Sequence, residues 1–505
     1  MTATFRRRAP VDLPGPDGDN TIAREPLWHA YGTGDDDPRP PSWAGDPTPP
    51  PEAHVPPPPP ASVRDGKAAA LPVGTVDLLE RAPYPYGRIT GGPAGADRLW
   101  HALVASFGVH RREPDNPFND HRGYASPRCL FPVSVFAGAG DRWRLLDPGR
   151  HTTVELAGAG RPDGAADLVL AGRYTAIPRS YQWFRGSLVN LELGIALRAL
   201  ALGLDLFGLE GRLALPDTGA GGLLASLGLA PGEWSLPLTV RMGDGRPAGT
   251  APSAEPAGDA VDPEDVALAD LVRVNRAQAF TGPAAPLGPG APDGALVPPG
   301  APSWAELLWR RNSGRMPRGM HGMTGRRRRV PAEALTDALR WLLVPPPGDP
   351  LAAAFAGVTT TVVVQDVDGY ADGVHRVRDG EAVLVSADPG APAKLEAEYG
   401  YPLTPGNGCA LRHASMIWYL SVRPRDLTAR LGPAGWTASQ YVTGWAAHGL
   451  CLAAASAGLF ARPVRAYREI PTQRILGLDP DDMIVLSVVV GSPRPSGATL
   501  LDLRL

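Results

Sequence analysis

The chain predicts an α+β fold built twice, each half a mainly antiparallel sheet flanked by helices, and three observations carry that expectation. The first is an internal repeat with an offset of about 250 residues. Its earlier copy runs from Ser187 to Leu204, through Leu227-Gly-Leu229, to an apolar strand ending at Gly243. Its later copy runs from Tyr441 to Leu459, through Leu476-Gly-Leu478, to Ile484 to Gly491. Each copy reads as a buried helix closed by glycine, a short turn and a core strand. The second observation is that the legible strand pairs are hairpins, at Gly138 to Asp141 and at Asp366 to Gly373, which joins antiparallel neighbours. The third is that no Gly-rich dinucleotide fingerprint follows a strand, which disfavours a parallel doubly wound sheet.

Element by element, residues 1–75 are proline-rich, with Pro56 to Pro60 the densest run, and predict a largely irregular segment. The first folded half spans 76–243. It holds a helix around Asp97 to Phe107, a strand from Leu130 to Phe136 and a strand from Trp143 to Leu146. Residues 244–302 form a Gly/Pro/Ala-rich connector with one helical pattern from Ala260 to Gln278. The second half spans 303–505. It opens with Trp304 to Trp309, continues to a helix from Ala332 to Leu343 after Pro331, and enters a strand from Thr359 to Gln365.

Composition excludes some classes of function. The chain is 43% apolar and 20% charged, and its net charge of -3 offers no global attraction to nucleic acid or to an anionic membrane. No signal-peptide pattern or uncharged apolar run long enough to span a bilayer is legible, so a cytoplasmic location is expected. Cys129, Cys409 and Cys451 are too scattered for a disulfide framework or zinc knuckle and read as reduced core thiols. No metal site is expected. Only Lys67 and Lys394 are lysines, so ammonium chemistry has two candidates. Lys394 reads most simply as a surface ion pair with Glu398 one helical turn on.

Two polar clusters stand out. In Trp309-Arg-Arg-Asn-Ser-Gly-Arg315, the residues Arg311, Ser313 and Arg315 alternate along an extended stretch, so two guanidinium forks and a hydroxyl can converge on one phosphate. A solvated basic loop explains the same residues, as it does Arg326 to Arg329. The second cluster, Asp120 to Pro132, brings small residues and prolines to the entry of a strand, where backbone donors can approach a planar ligand.

With these clusters in place, the order of elements resembles the nitroreductase-like flavoproteins, and in particular the FMN-dependent azoline dehydrogenases of thiazole/oxazole-modified, thiopeptide-type peptide pathways. Arg311-Asn-Ser-Gly-Arg315 matches the family's Arg-x-Ser-x-Arg grip on the FMN phosphate. Ala125-Ser-Pro-Arg-Cys-Leu-Phe-Pro132 is similar to its Pro-Ser-x-Gly-x-x-x-Pro segment, with the first proline and the glycine lost. Val367 to Val377 is similar to its Val-x-Gly-x-x-x-Gly-x-Tyr-x-Tyr hairpin, with His375 and Val377 in place of the aromatics. The terminal Gly-x-Pro is present as Gly491-Ser-Pro493, beside Arg494.

The resemblance implies FMN as cofactor, with Arg311, Ser313, Arg315, Ser126, Pro127, Arg128, Gly491 and Arg494 as binding candidates. In the family, the grip and the ring-side segment that meet at one flavin come from different subunits. Here the first half keeps the ring-side segment and the second keeps the grip, which implies a pseudo-dimer in one chain with a single composite site. The family's catalytic Lys-Tyr pair is absent. Arg173-Tyr174 and Tyr181 are the nearest match, with Tyr174 or Tyr181 the candidate base, its phenol pKa lowered by Arg173, Arg179 or Arg185.

The implied reaction is oxidation of thiazolines or oxazolines to thiazoles or oxazoles in a ribosomally made precursor peptide, with a cyclodehydratase as the implied partner. A general NAD(P)H-dependent FMN nitro/ene-reductase and a non-catalytic scaffold subunit stand as alternatives. Further homodimerisation is left open.

Overall fold

The computed structural model describes residues 57–93, 95–114, 120–161, 166–181, 183–243, 264–294, 300–314, 325–399, 411–493 and 500–504. The first half contains helices α1 (Ala61–Arg64), α2 (Thr75–Glu80), α3 (Ala96–Phe107), α4 (Phe184–Leu206) and α5 (Ala220–Ser226). Its strands are β1 (Lys67–Ala70), β2 (Val109–Arg112), β3 (Asp120–Arg122), β4 (Val133–Ala139), β5 (Arg142–Asp147), β6 (Thr152–Gly160), β7 (Leu168–Gly172), β8 (Gly211–Ala214) and β9 (Leu238–Met242). The connector supplies α6 (Val266–Ala277) and β10 (Ala285–Pro286).

In the second half the helices are α7 (Trp304–Arg310), α8 (Ala332–Leu342), α9 (Asp349–Ala356), α10 (Ala391–Ala397), α11 (Pro424–Leu431), α12 (Ala434–Ser456) and α13 (Glu469–Leu476). The strands are β11 (Thr359–Val364), β12 (Gly373–Arg378), β13 (Glu381–Ser386), β14 (Met416–Val422), β15 (Phe460–Val464), β16 (Met483–Gly491) and β17 (Leu501–Asp502).

The two large sheets repeat one another strand for strand. The first runs β1-β6-β5-β4-β7-β9-β8-β10 and the second β13-β12-β11-β14-β16-β15. Stripped of its edges β1 and β10, the first has the order of the second, with β4 corresponding to β11 and β7 to β14. Every ladder among the described strands is antiparallel, as the hairpins required.

Several boundaries move. The segment ending at residue 75 is not irregular at its C-terminal end, because Lys67–Ala70 pairs with Thr152–Glu155 and covers the edge strand β6. The strand expected from Leu130 begins at Val133, since Pro127–Cys129 coils into a 3-10 turn and Pro132 has no N–H to donate. The connector helix starts at Val266, where the Asp265 side chain accepts the Leu268 N–H at 3.1 Å. A third sheet, β17-β2-β3, was not foreseen. In it the C-terminal strand returns to the first half, pairing Leu501 with Arg112 and Asp502 with Arg111.

The repeated helices are α4 and α12, each 23 residues long. Both are apolar around most of their circumference, so both must be buried. Helix α4 is long and apolar enough to cross a membrane, yet 94% of that stretch is covered by the rest of the fold. The two helices pack on one another with a register of 250. A Cβ on Gly194 would lie 2.0 Å from the Tyr441 carbonyl oxygen, and one on Gly444 would lie 2.1 Å from the Leu191 carbonyl oxygen. Asn190 donates to Gln440 at 2.8 Å, and Gln440 donates in turn to Ser187 at 2.8 Å. This reciprocity is what a pseudo-twofold axis between the helices demands.

Candidate functional site

The phosphate-grip sequence follows α7, whose first turn is capped by the Ser303 hydroxyl accepting the Glu306 N–H at 3.1 Å. Arg311, at the other end of that helix, is 4% exposed. Its Nε donates to the Arg122 carbonyl at 3.1 Å and its Nη1 to Ser313 Oγ at 3.4 Å. Arg122 belongs to the first half, so the second half's grip docks against the strand that leads into the ring-side segment. The Cys451 and Cys129 thiols are its electrostatic neighbours, and burial lowers the Arg311 pKa.

A cavity of about 20 Å³, room for one water, is lined by Ser106, Gly123, Trp304, Leu308 and His448. His448 is held neutral, its pKa well below the ordinary value, by burial and then by Arg198 and Arg311. Gly491 stands nearby: a Cβ there would touch the Phe460 ring, the same ring that closes on Gly314, while the Ala461 N–H donates to the Asn312 carbonyl at 3.0 Å. Arg315 and Arg494 lie outside the described residues.

The segment Ala125 to Pro132 turns tightly although it contains no glycine. Arg128, Cys129 and Phe131 have φ of 51°, 55° and 47°, three left-handed residues without a glycine among them. Each such residue costs on the order of 1 kcal/mol, so neighbouring structure must enforce the turn. Glu192 of α4 does so. Its Oε2 is 2.5 Å from Ser126 Oγ, which accepts the Phe131 N–H at 2.8 Å, and its Oε1 accepts from Val133 N–H at 3.5 Å. Burial raises the Glu192 pKa to about 8, against the opposing pull of Ser126, Arg122 and the Val133 N–H. Arg122 caps the turn, its guanidinium 4.0 Å from the Phe131 ring centre and donating to the Tyr124 hydroxyl at 3.0 Å.

The candidate catalytic residues divide. Tyr181 lies beside the ring-side turn, with the Arg128 guanidinium 5.9 Å from its ring centre and Phe184 at 6.2 Å. Phe184 in turn carries Arg465 of the second half at 5.0 Å. Tyr174, by contrast, is 1% exposed and part of the main core.

The arginines expected to lower a phenol pKa are engaged elsewhere. Arg173 binds Glu233 through two nitrogens, at 2.8 and 2.5 Å, and the Pro58 carbonyl through the third. Arg179 and Arg185 both meet Asp265, at 3.2 and 2.6 Å. These guanidinium groups are neutralised by carboxylates that the linear sequence places far away. Lys394 likewise pairs with Asp388 at 2.7 Å and not with Glu398, which pairs with Arg468 at 3.0 Å.

The pseudo-symmetric position is closed. Leu307-Leu308-Trp309-Arg310-Arg311-Asn312-Ser313 reads against Leu78-Leu79-Glu80-Arg81-Ala82-Pro83-Tyr84, so Arg311 and Ser313 have Ala82 and Tyr84 as counterparts. Where the first half has β2, β3 and the ring-side turn between its helix and β4, the second half has only α9 between α8 and β11. Arg198, the register partner of His448, donates to the carbonyls of Gly290, Trp445 and Trp341 at 2.8, 2.9 and 2.9 Å and lies over both tryptophan rings. Trp341 Nε1 donates to the Tyr84 hydroxyl at 2.5 Å, and that hydroxyl donates to Asp337 at 3.1 Å. Replacing Arg198 by methionine strands three buried carbonyls and is expected to cost about 3 kcal/mol in chemical denaturation.

No protein-family model and no curated protein matches the chain. Solved structures do. A candidate nitroreductase from Anabaena variabilis aligns with a TM-score of 0.61 at 14% identity, covering 87% of this chain and 94% of its own. A candidate nitroreductase from Ralstonia eutropha aligns over 41% of this chain and 89% of its own, with a TM-score of 0.29 and 18% identity. A chain of the Escherichia coli microcin synthetase McbBCD complex with truncated pro-MccB17 bound aligns over 40% of this chain and 79% of its own, with a TM-score of 0.29 and 12% identity. The fold is nitroreductase-like, and the repeated strand order makes it two tandem domains in one chain.

Sequence reasoning missed Glu192, Arg122 and Arg111. A lone carboxylate inside Leu191-Glu-Leu193, on an otherwise apolar helix, was the available signal for the first. Arg111 and Arg122 had none, because Arg111 donates to, and the Arg122 carbonyl accepts from, Arg311 of the other half.

Proposed function

We propose that this chain is an FMN-dependent oxidoreductase with one composite site, which oxidises thiazolines or oxazolines of a ribosomally made precursor peptide to the aromatic azoles. The observation that supports it most is the hydrogen bond from Arg311, in one half, to the Arg122 carbonyl of the other, a few residues ahead of the strained Ser126 to Phe131 turn. The residues fit the cofactor: a buried guanidinium with no carboxylate partner among the described residues suits a phosphate, and a turn held at positive φ brings backbone close to a planar ring.

FMN, when bound, supplies the acceptor for a hydride from one carbon of the azoline, with dioxygen as terminal oxidant. Arg311 and Ser313 hold the phosphate, and Arg315, Gly491 and Arg494 are assigned to the same end. Ser126, Pro127 and Arg128 line the ring. Tyr181, beside Arg128, is assigned to take the proton from the neighbouring azoline carbon, with the buried Tyr174 as the alternative base. The proline-rich N-terminal segment and the connector are where we place docking of the precursor peptide and a cyclodehydratase, in a cytoplasmic setting.

Purified chain is expected to carry one FMN, seen in its visible absorbance, and to remove two hydrogens per azoline from a modified peptide by mass spectrometry. Two FMN per chain would overturn the single composite site. Activity surviving in the Tyr174→Phe/Tyr181→Phe double variant would remove the proton assignment. Bleaching of the flavin by NAD(P)H without azoline oxidation would identify a general reductase instead.

A further inference from the structure

Arg111 lies on β2 of the first half and is 6% exposed. Its Nη2 donates to the backbone carbonyl of Arg311 at 3.0 Å, which sets the two guanidinium-bearing residues side by side across the junction of the halves. The strand is gripped on both edges, Arg111 pairing with His121 of β3 and with Asp502 of β17. The Trp309 ring carries both the Arg111 guanidinium, 5.6 Å from its centre, and that of Arg504, at 4.5 Å.

The charged groups facing Arg111 are mostly cations or are already engaged. Asp120 pairs with Arg112 at 2.6 Å and Asp502 with Arg504 at 2.7 Å, while Glu113 stands 3.6 Å from His121. Neither Arg111 nor Arg311 forms a salt bridge among the described residues. Burial and then Arg311 lower the Arg111 pKa to about 10, with Glu113 and Cys129 opposing. His110, whose pKa is pushed to about 3 by burial and then by Arg111, Arg504 and Arg311, keeps a buried Nε2 without a hydrogen bond. Two buried like charges without a salt-bridge partner among the described residues are costly, and an anion bearing two negative charges relieves both.

We propose that Arg111 adds a guanidinium from the first half to the phosphate site, so that both halves hold a phosphate monoester dianion and a phosphorylated flavin is selected over an unphosphorylated one. This rests on the FMN reading above. The site is then composite at its phosphate end as well as at its ring end.

Affinities of the full chain for FMN and for riboflavin, read by flavin fluorescence, test it. Loss of charge-assisted hydrogen bonds in Arg111→Met is expected to weaken FMN binding by about tenfold to a hundredfold and leave riboflavin binding unchanged. Arg111→Lys, which keeps the charge, restores most of the preference. Circular dichroism and melting of each variant report its fold. An unchanged FMN-to-riboflavin ratio in Arg111→Met, or equal loss of both flavins, overturns the inference while the FMN reading stands if Arg311→Met still loses FMN. Wild-type chain that binds neither flavin overturns both.

Discussion

Replacing Gly444 by alanine is expected to destabilise the chain by about 3 kcal/mol or more, with Gly194→Ala costing a similar amount. At both positions the added Cβ would meet a backbone carbonyl, Leu191 at 2.1 Å and Tyr441 at 2.0 Å, and a backbone atom inside a helix cannot rotate away as a side chain can. Relief requires the two long helices to separate, which loosens packing along their shared face. The proposed composite site depends on that face, because α4 carries Glu192, which holds the Ser126 to Phe131 turn, while α12 carries Cys451 and His448, electrostatic neighbours of Arg311. FMN affinity is therefore expected to fall with stability. Gly221 is the control: a Cβ there meets nothing within 4 Å, so Gly221→Ala in α5 should be neutral or stabilise by up to about 1 kcal/mol. Thermal or urea denaturation of the three variants checks the contrast, and equal effects at Gly221 and Gly444 would refute the packing argument.

Stability is expected to fall as pH rises from about 4.5 to about 8 in wild-type chain relative to Glu192→Gln. The Glu192 carboxyl has a folded pKa of about 8 against an ordinary value of 4.5, so the folded state binds the proton more tightly than the unfolded state. Below the lower value both states are protonated and the group contributes fully. Between the two values the unfolded chain sheds its proton first, stability is lost with each step of pH, and above about 8 the loss levels off at on the order of 5 kcal/mol. Glutamine cannot ionise, and its amide retains a donor for Ser126 Oγ and an acceptor for the Val133 N–H. The variant should therefore match wild type near pH 4 and exceed it at pH 9. Melting curves of both proteins across that range decide the matter, and a constant difference would show that Glu192 does not carry the shift.

These two residues show what could be read before the structure. The internal repeat and its Leu-Gly-Leu turns located both central helices and both closing strands, because burial of a whole helix leaves an unbroken apolar signature. The hairpins at Gly138 to Asp141 and Asp366 to Gly373 were legible because turn chemistry is local. The helix-breaking power of Pro331 placed the start of α8 to the residue.

Other parts of the fold depend on distant chain. The returning strand β17 has no pattern of its own: two residues carry its pairing with β2. The edge strand Lys67–Ala70 hid in a segment whose prolines speak for irregular structure. The arginines around Tyr174 and Tyr181 looked free to tune a phenol, and only the fold revealed that Glu233 and Asp265 had claimed them.

The sequence alone determined that the chain is α+β and duplicated, and that Arg311-Asn-Ser-Gly-Arg315 and Ala125 to Pro132 lie in opposite halves. Those properties live in local periodicity, turn residues and short motifs, which one strand of text carries complete. Tertiary structure decided that Arg311 meets Arg122 across the halves, that Glu192 holds a left-handed turn without glycine, and that Arg198, Trp341 and Tyr84 close the opposite position. Each of these joins residues whose separation along the chain is large. Their energies come from desolvation and from hydrogen bonds between elements, and such terms exist only once both partners are buried together.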